Sequence, residues 1–576
     1  MSVLEKLRAC SGRQELAQIL GYSSKSLTSI AYGLKGQNRY TEAKIPKKAK
    51  NEYRTIHIPN PKLKLLQRRV ANLLNACLKE IDSNKKNTAS HAFLSGKSIV
   101  TNAKKHTRKR YVLNIDLEDF FPSINPGRVM GILQKNHAFQ LQPEVAKTIA
   151  KIACHENGLP QGSPCSPVIS ELITRILDRR LITLSKKYKL IYTRYADDIT
   201  LSTNQKSFPK LIAEETDPSK GTWEAGQKLT KIISKSGFNI NKNKTRMQIK
   251  TRKQSVTGLS VNSKANIESN YYRTARAMAH RLFSRGEYLA KNENKARSAA
   301  DLTLPAKERL HNLRKIRGII SHIDFVKRQS DPRNEASQNE QPTATRELYN
   351  RTLVYFYFAA HPTPLVICEG PTDSVYLKKA IKVTKSEIAE TGLDFFSYAK
   401  KDKKSHVHSK HILKITGGAP TLIRALKNRE EKLEKIHTRP FPEAVIFLVD
   451  NDAGAKSLCN FVNNQYKTNI PTKGPDEDFY HITDNVYIIK TPIISGKDET
   501  CIEDLFSEEI QNVFHNTPGD TKAHSGSPTT KKKMFAEKVR SNFNEAEQFR
   551  NFGILLDRIQ AAINDYRTKR SKESDA

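Results

Sequence analysis

Tryptophan occurs once in 576 residues, methionine five times, and the seven cysteines contain no CxxC pair. The cysteines (10, 77, 154, 165, 368, 459, 501) are scattered and odd in number, so neither a zinc ribbon nor a disulfide framework is expected. His406, His408 and His411 have no cysteine nearby and read as a polar loop. Gly96-Lys97-Ser98 is not a Walker nucleotide loop, because His91 stands where its first glycine belongs. No apolar run reaches the length of a membrane span, no amphipathic anchor is evident, and the first residues lack the apolar core of an export signal. Reduced thiols in a cytosolic chain are the expectation, with no membrane partner. Acidic residues are scarce too: 59 Asp and Glu face 98 Lys and Arg, a formal charge of +39. That excess points to a polyanionic partner such as nucleic acid.

The acids that are present cluster in informative places. Leu190–Ser202 (LIYTRYADDITLS) holds two β-favouring segments with Asp197 and Asp198 at a tight turn between them. Adjacent carboxylates repel, and a divalent cation makes the pair useful. A third acid, Asp116, ends the apolar segment Val112, Leu113, Ile115. Converging on neighbouring strands, these acids would hold two Mg²⁺ about 3.5–4 Å apart, the layout of a nucleotidyl-transfer centre.

The order of further motifs resembles reverse transcriptases, and within them the retron group. The motifs run over roughly residues 40–262: YRTIHIPNPKLKLLQ from Tyr53, NAKKH from Asn102, GLPQGSPCSP from Gly158, GFNINKNKT from Gly237 and VTG from Val256. The resemblance implies a right-hand α+β polymerase with fingers and palm over 1–265 and a helical thumb over 266–326. It implies that Asp116, Asp197 and Asp198 are catalytic metal ligands. Arg54, Gln161, Gly162 and Lys244 would contact template, nucleotide or phosphate, with Lys242 in reserve, and Phe121 would gate against a ribose 2′-OH. Asn102, His106, Val256, Thr257 and Gly258 would recognise RNA.

Residues 327–350 are polar and read as a linker. Beyond it, Pro364–Gly370 (PLVICEG) is an apolar strand ending at Glu369, and Ala444–Asp452 (AVIFLVDND) is a strand delivering Asp450 and Asp452 on one face. With Asp373 in a helix start and Glu503 in CIEDLF, residues 351–576 resemble a TOPRIM domain of the OLD-like branch, an α/β Rossmann-like fold with a helical tail. That resemblance implies one or two Mg²⁺ at Glu369, Asp373, Asp450, Asp452 and Glu503 and cleavage of RNA or DNA. Taken together, the two resemblances imply a bacterial, cytoplasmic retron enzyme. It would copy part of a structured non-coding RNA into DNA from dNTPs, starting at a 2′-OH and leaving a branched product. The fused nuclease would act in anti-phage defence. Three alternatives stay open: a second half that binds without cutting, a second half that makes RNA primers, and a first half that is an inactive RNA scaffold. Self-association is also left open.

Overall fold

In the computed structural model, the described residues are all but 47–51, 84–87, 218, 220, 291–295, 334, 399–408, 473–476, 495–496, 518–528 and 576. His406 and His408 thus lie outside the described residues, while His411 is exposed on the short helix Ser409–Ile412. The chain divides into two compact units, Met1–Glu268 and Ser269–Ala576.

The first unit carries an antiparallel hairpin of β1 (Tyr40–Pro46) and β2 (Tyr53–Pro59). The helix Pro61–Ser83 follows, burying Leu63, Leu66, Val70, Leu74 and Cys77 along one stripe. The central sheet contains β3 (Tyr111–Glu118), β4 (Ile191–Tyr195), β5 (Asp198–Thr203) and β8 (Asn239–Ile249), in the order β4-β5-β3-β8, all antiparallel. Along β3, Leu113, Ile115 and Leu117 are buried while Asn114, Asp116 and Glu118 take the other face, the alternation of a half-covered strand. β6 (Ala213–Asp217) and β7 (Thr222–Ala225) form a separate hairpin, in which Trp223 packs edge-on against Phe208. β9 (Ser255–Val256) and β10 (Leu259–Ser260) pair through the two-residue turn Thr257-Gly258.

The second unit begins with the helix Ser269–Arg285, the small hairpin of β11 (Glu287–Tyr288) and β12 (Arg297–Ser298), and the helix Ala306–Gln329. Its sheet contains β13 (Leu365–Cys368), β14 (Asp394–Phe395), β15 (Val445–Val449), β16 (Tyr480–Thr483) and β17 (Val486–Lys490). The order is β14-β13-β15-β17-β16, parallel except for β16. β13, β15 and β17 are buried throughout, so their side chains feed two cores. Leu365, Ile367, Val445 and Phe447 pack in one core; Val366, Ile446, Leu448 and Ile489 pack in the other.

Two expectations about boundaries do not match. Met278, Leu282, Ile316 and Ile320, expected in a separate thumb, share the first of those cores with the sheet strands. The expected linker, 327–350, runs into the helix Ala344–Val354, where Thr345, Tyr349 and Leu353 are buried. These three fall at i, i+4 and i+8, a narrow apolar stripe that the polar average composition of the segment conceals.

Candidate active site

β4 and β5 are joined by the shortest of hairpin turns, since Tyr195 pairs with Asp198 and only Ala196 and Asp197 lie between. Ala196 takes φ 56°, a left-handed conformation that glycine or asparagine usually supplies. Asp198 lies directly across from Asp116 on β3, and the Leu117 amide donates to the Asp197 carbonyl at 3.1 Å. The three acids therefore meet at one sheet end. Asp198 is pushed up to about 6 by desolvation first and then by the Asp197 and Asp116 charges. Asp197 is raised by desolvation and by Asp116. Such a group is short of positive charge, and Asp198 is exposed at the turn, where a cation can reach it.

Lys244 supplies part of that charge. The β3–β8 register breaks between Asn114 and Asp116, which pair with Arg246 and Asn241, so the residues between them on β8 bulge outward. The bulge re-aims Lys244 over the neighbouring strand, where its Nζ donates to Asp116 Oδ1 at 2.9 Å. A pocket of about 190 Å³ opens here, lined among others by Asp116, Asp198, Lys244, Arg246, Thr257 and Gly258. Among the described residues no three His, Cys, Asp or Glu side chains form a ready-made metal cage. Mg²⁺ is commonly held by one or two carboxylates with substrate phosphates and water completing the shell, so this donor set still fits it.

The His57 amide of β2 donates to the Gln161 carbonyl at 2.7 Å, and a Cβ on Gly162 would stand 2.5 Å from the His57 carbonyl oxygen. The small residue is thus needed for the close approach to β2. With φ 119° as well, Gly162→Ala should cost at least about 1–3 kcal/mol, read as a lower denaturation midpoint. Phe121 is half-buried against Phe120 and Phe93, and Arg54 is exposed on β2.

Asn102 and His106 correct the expectation of RNA contact. Both are fully buried. His106 bonds Ser202 Oγ through Nδ1 at 2.7 Å and Thr193 Oγ1 through Nε2 at 2.6 Å, and the Thr193 hydroxyl donates to Asn102 Oδ1. Burial holds the imidazole down to about 3, so it is neutral. These side chains fasten the helix Ile99–Lys105 to β4 and β5. His106→Ala should cost about 1–3 kcal/mol in urea titration while leaving the RNA affinity of the folded protein unchanged. Val256 is likewise buried. Only Thr257 and Gly258 reach the pocket, from a turn in which both take positive φ (47° and 78°).

The family model for reverse transcriptase (RNA-dependent DNA polymerase) matches residues 45–262. Retron Ec86 reverse transcriptase of Escherichia coli is 34% identical over 247 residues, which are 42% of this chain and 70% of that protein. The chain belongs to the retron reverse transcriptases. Retron Mx162 reverse transcriptase of Myxococcus xanthus is 32% identical over 46% of this chain and 58% of its own length. Among solved structures, apo telomerase from Candida tropicalis is similar at a TM-score of 0.32 and 12% identity, covering 74% of this chain and 64% of that one.

Beyond the matched residues this retron reverse transcriptase carries a second acidic cluster. Glu369 and Asp450 follow the adjacent parallel strands β13 and β15, and Glu369 accepts from the Ala419 amide and the Asp450 amide, both at 3.2 Å. Asp373 caps the Gly370 amide at 2.7 Å, and Asp450 Oδ1 accepts from the Ile502 amide at 2.9 Å. Desolvation, then Glu503, pushes Asp373 up to about 6. Asp450 is raised well above its ordinary value, by burial and then by Asp373, Glu369 and Glu503. β15 ends at Val449, so Asp450 and Asp452 do not share a strand face as expected; Asp452 instead caps the short turn Ala453–Ala455.

Two features of these sites escaped the sequence. Lys532, on the helix Thr529–Asn542, donates to buried Glu503 at 3.1 Å and brings a cation to the second set of acids. It sits in an ordinary basic run (KKK) that carries no signal. Arg194, just before the Ala196-Asp197 turn, is fully buried against Glu171 and Asp178. Its signal is two acids seven apart, Glu171 and Asp178, among the buried positions of the helix Ser166–Lys187.

Proposed function

We propose that the first unit copies RNA into DNA, with Asp116, Asp197 and Asp198 holding the catalytic cations. The observation that carries this reading is the cross-strand pairing of Asp116 with Asp198 beside Asp197, three acids at one sheet end in a strongly basic chain. Mg²⁺ bound there would activate a primer hydroxyl and stabilise the departing pyrophosphate. Lys244 and Arg246 line the same pocket and offer cationic partners to a triphosphate. Phe121, braced by Phe120, presents a rigid wall against a ribose 2′-OH. The cognate template is a structured non-coding RNA of this bacterial chain, primed from a 2′-OH. Mg²⁺-dependent dNTP incorporation on an RNA template tests the activity. Purified protein lacking it would favour the inactive scaffold, and a branched RNA–DNA species should co-purify with the protein.

For the second unit we propose a TOPRIM-like, Mg²⁺-dependent nuclease acting as the effector of an anti-phage system. Support comes from Glu369 and Asp450 at the carboxyl ends of adjacent parallel strands, where ligand sites of open α/β sheets lie. Asp373 and Glu503 complete a desolvated acidic set. Among the described residues no helix is long and apolar enough to cross a membrane.

A further inference from the structure

Arg194 has five N–H donors, and all five are used. Nε donates to Asp178 Oδ1 (2.8 Å), Nη2 to Asp178 Oδ2 (2.9 Å) and Glu171 Oε2 (3.1 Å), and Nη1 to Glu171 Oε1 (2.9 Å). The fifth bond runs from Nη1 to the Ala196 carbonyl at 3.0 Å. The acids are satisfied in turn: Tyr192 OH donates to Asp178 Oδ1 at 2.7 Å and Ser90 Oγ to Glu171 Oε2 at 2.6 Å. The Arg194 backbone is tied as well, its amide to the Ala89 carbonyl and its carbonyl to the His91 amide.

Stability alone is a weak reason for such a cage. Burying a guanidinium and two carboxylates carries a desolvation cost of several kcal/mol per ion, and well-packed apolar residues often do as well or better. The bond to Ala196 supplies a different reason. Ala196 holds a left-handed conformation that costs an ordinary residue about 1–2 kcal/mol, and its carbonyl belongs to the peptide linking it to Asp197. Fixing that peptide plane fixes the direction in which the next side chain leaves the turn.

We infer that Arg194 is a positioning residue for the polymerase centre: held by Glu171 and Asp178, it clamps the Ala196–Asp197 peptide and so aims Asp197 and Asp198 at their shared cation. The inference rests on the proposed polymerase reading. Wild-type dNTP incorporation tests that reading separately; the variants below test the clamp against an active wild type.

The experiment compares Arg194→Lys, Glu171→Gln and wild type by thermal melting, template–primer affinity, and primer extension across a Mg²⁺ titration. Lysine keeps the charge but cannot reach all five acceptors. The expected result for a variant that melts cooperatively is wild-type template–primer affinity, a 10–100-fold higher Mg²⁺ requirement as found when a metal ligand's outer partner is lost, and turnover at saturating Mg²⁺ reduced by up to about 100-fold. A purely structural role would lower the melting temperature and leave the Mg²⁺ requirement and turnover per folded molecule at wild-type values; that outcome overturns the inference. If Arg194→Lys does not fold, Glu171→Gln, which keeps the side-chain shape and removes one charge, is judged on the same measures.

Discussion

Asp198→Asn is expected to reduce Mg²⁺-dependent primer extension about 1000-fold while leaving the metal-free protein at least as stable as wild type. The two effects have one cause. Asp198 is held up to about 6 by desolvation and by the neighbouring Asp197 and Asp116 charges. A carboxyl whose folded pKa is raised costs native stability in its ionised form, fully so above about pH 6. The cost fades as pH falls toward the ordinary carboxylate range near ~4. Asparagine keeps the shape, removes the repulsion and removes a ligand of the proposed cation site. Loss of about 4 kcal/mol of transition-state stabilisation corresponds to about 1000-fold in rate. Wild-type extension at limiting Mg²⁺ should likewise weaken as pH falls through about 6, because protons then compete for the acids. Primer extension per folded molecule, read beside a thermal melt, is the measurement. Extension at the wild-type rate would remove Asp198 from the chemistry.

On the proposed nuclease reading of the second unit, Asp450→Asn should reduce nucleic-acid cleavage about 100-fold or more, the upper end of what losing even an outer partner of a metal ligand costs, and leave reverse transcription intact. Asp450 is raised far above its ordinary value by burial and by Asp373, Glu369 and Glu503. Asparagine retains an oxygen for the Ile502 amide, so the loop that joins these acids stays in place. The melting temperature should hold or rise, because asparagine cannot add to the repulsion among Asp373, Glu369 and Glu503. Cleavage of labelled RNA and DNA in Mg²⁺, with growth of cells expressing each variant, reads the result. Unchanged cleavage would locate hydrolysis elsewhere, and wild-type protein that binds but never cuts would make this half a binding module.

Local chemistry carried much of the design. Alternation along Tyr111–Glu118, the acid pair in YADD and the apolar runs of LVIC and VIFLV specify strands and strand-end carboxylates through nearest-neighbour patterning alone. Those features are legible because side-chain period and burial are local properties. By contrast, NAKKH reads as a recognition motif until Asn102 and His106 are found buried beside β4 and β5, and the closeness of Gly162 to β2 has no counterpart in the linear pattern. The stripe of Thr345, Tyr349 and Leu353 hid inside a polar average.

The sequence by itself determined that acids would stand at strand ends in a basic, polyanion-seeking chain. Tertiary structure alone decided how those acids are held. Lys244 reaches Asp116 across 128 residues, Lys532 reaches Glu503 across 29, and Arg194 gathers Glu171 and Asp178 from a helix. Charge pairing of this kind depends on distance in space, which a one-dimensional pattern does not encode.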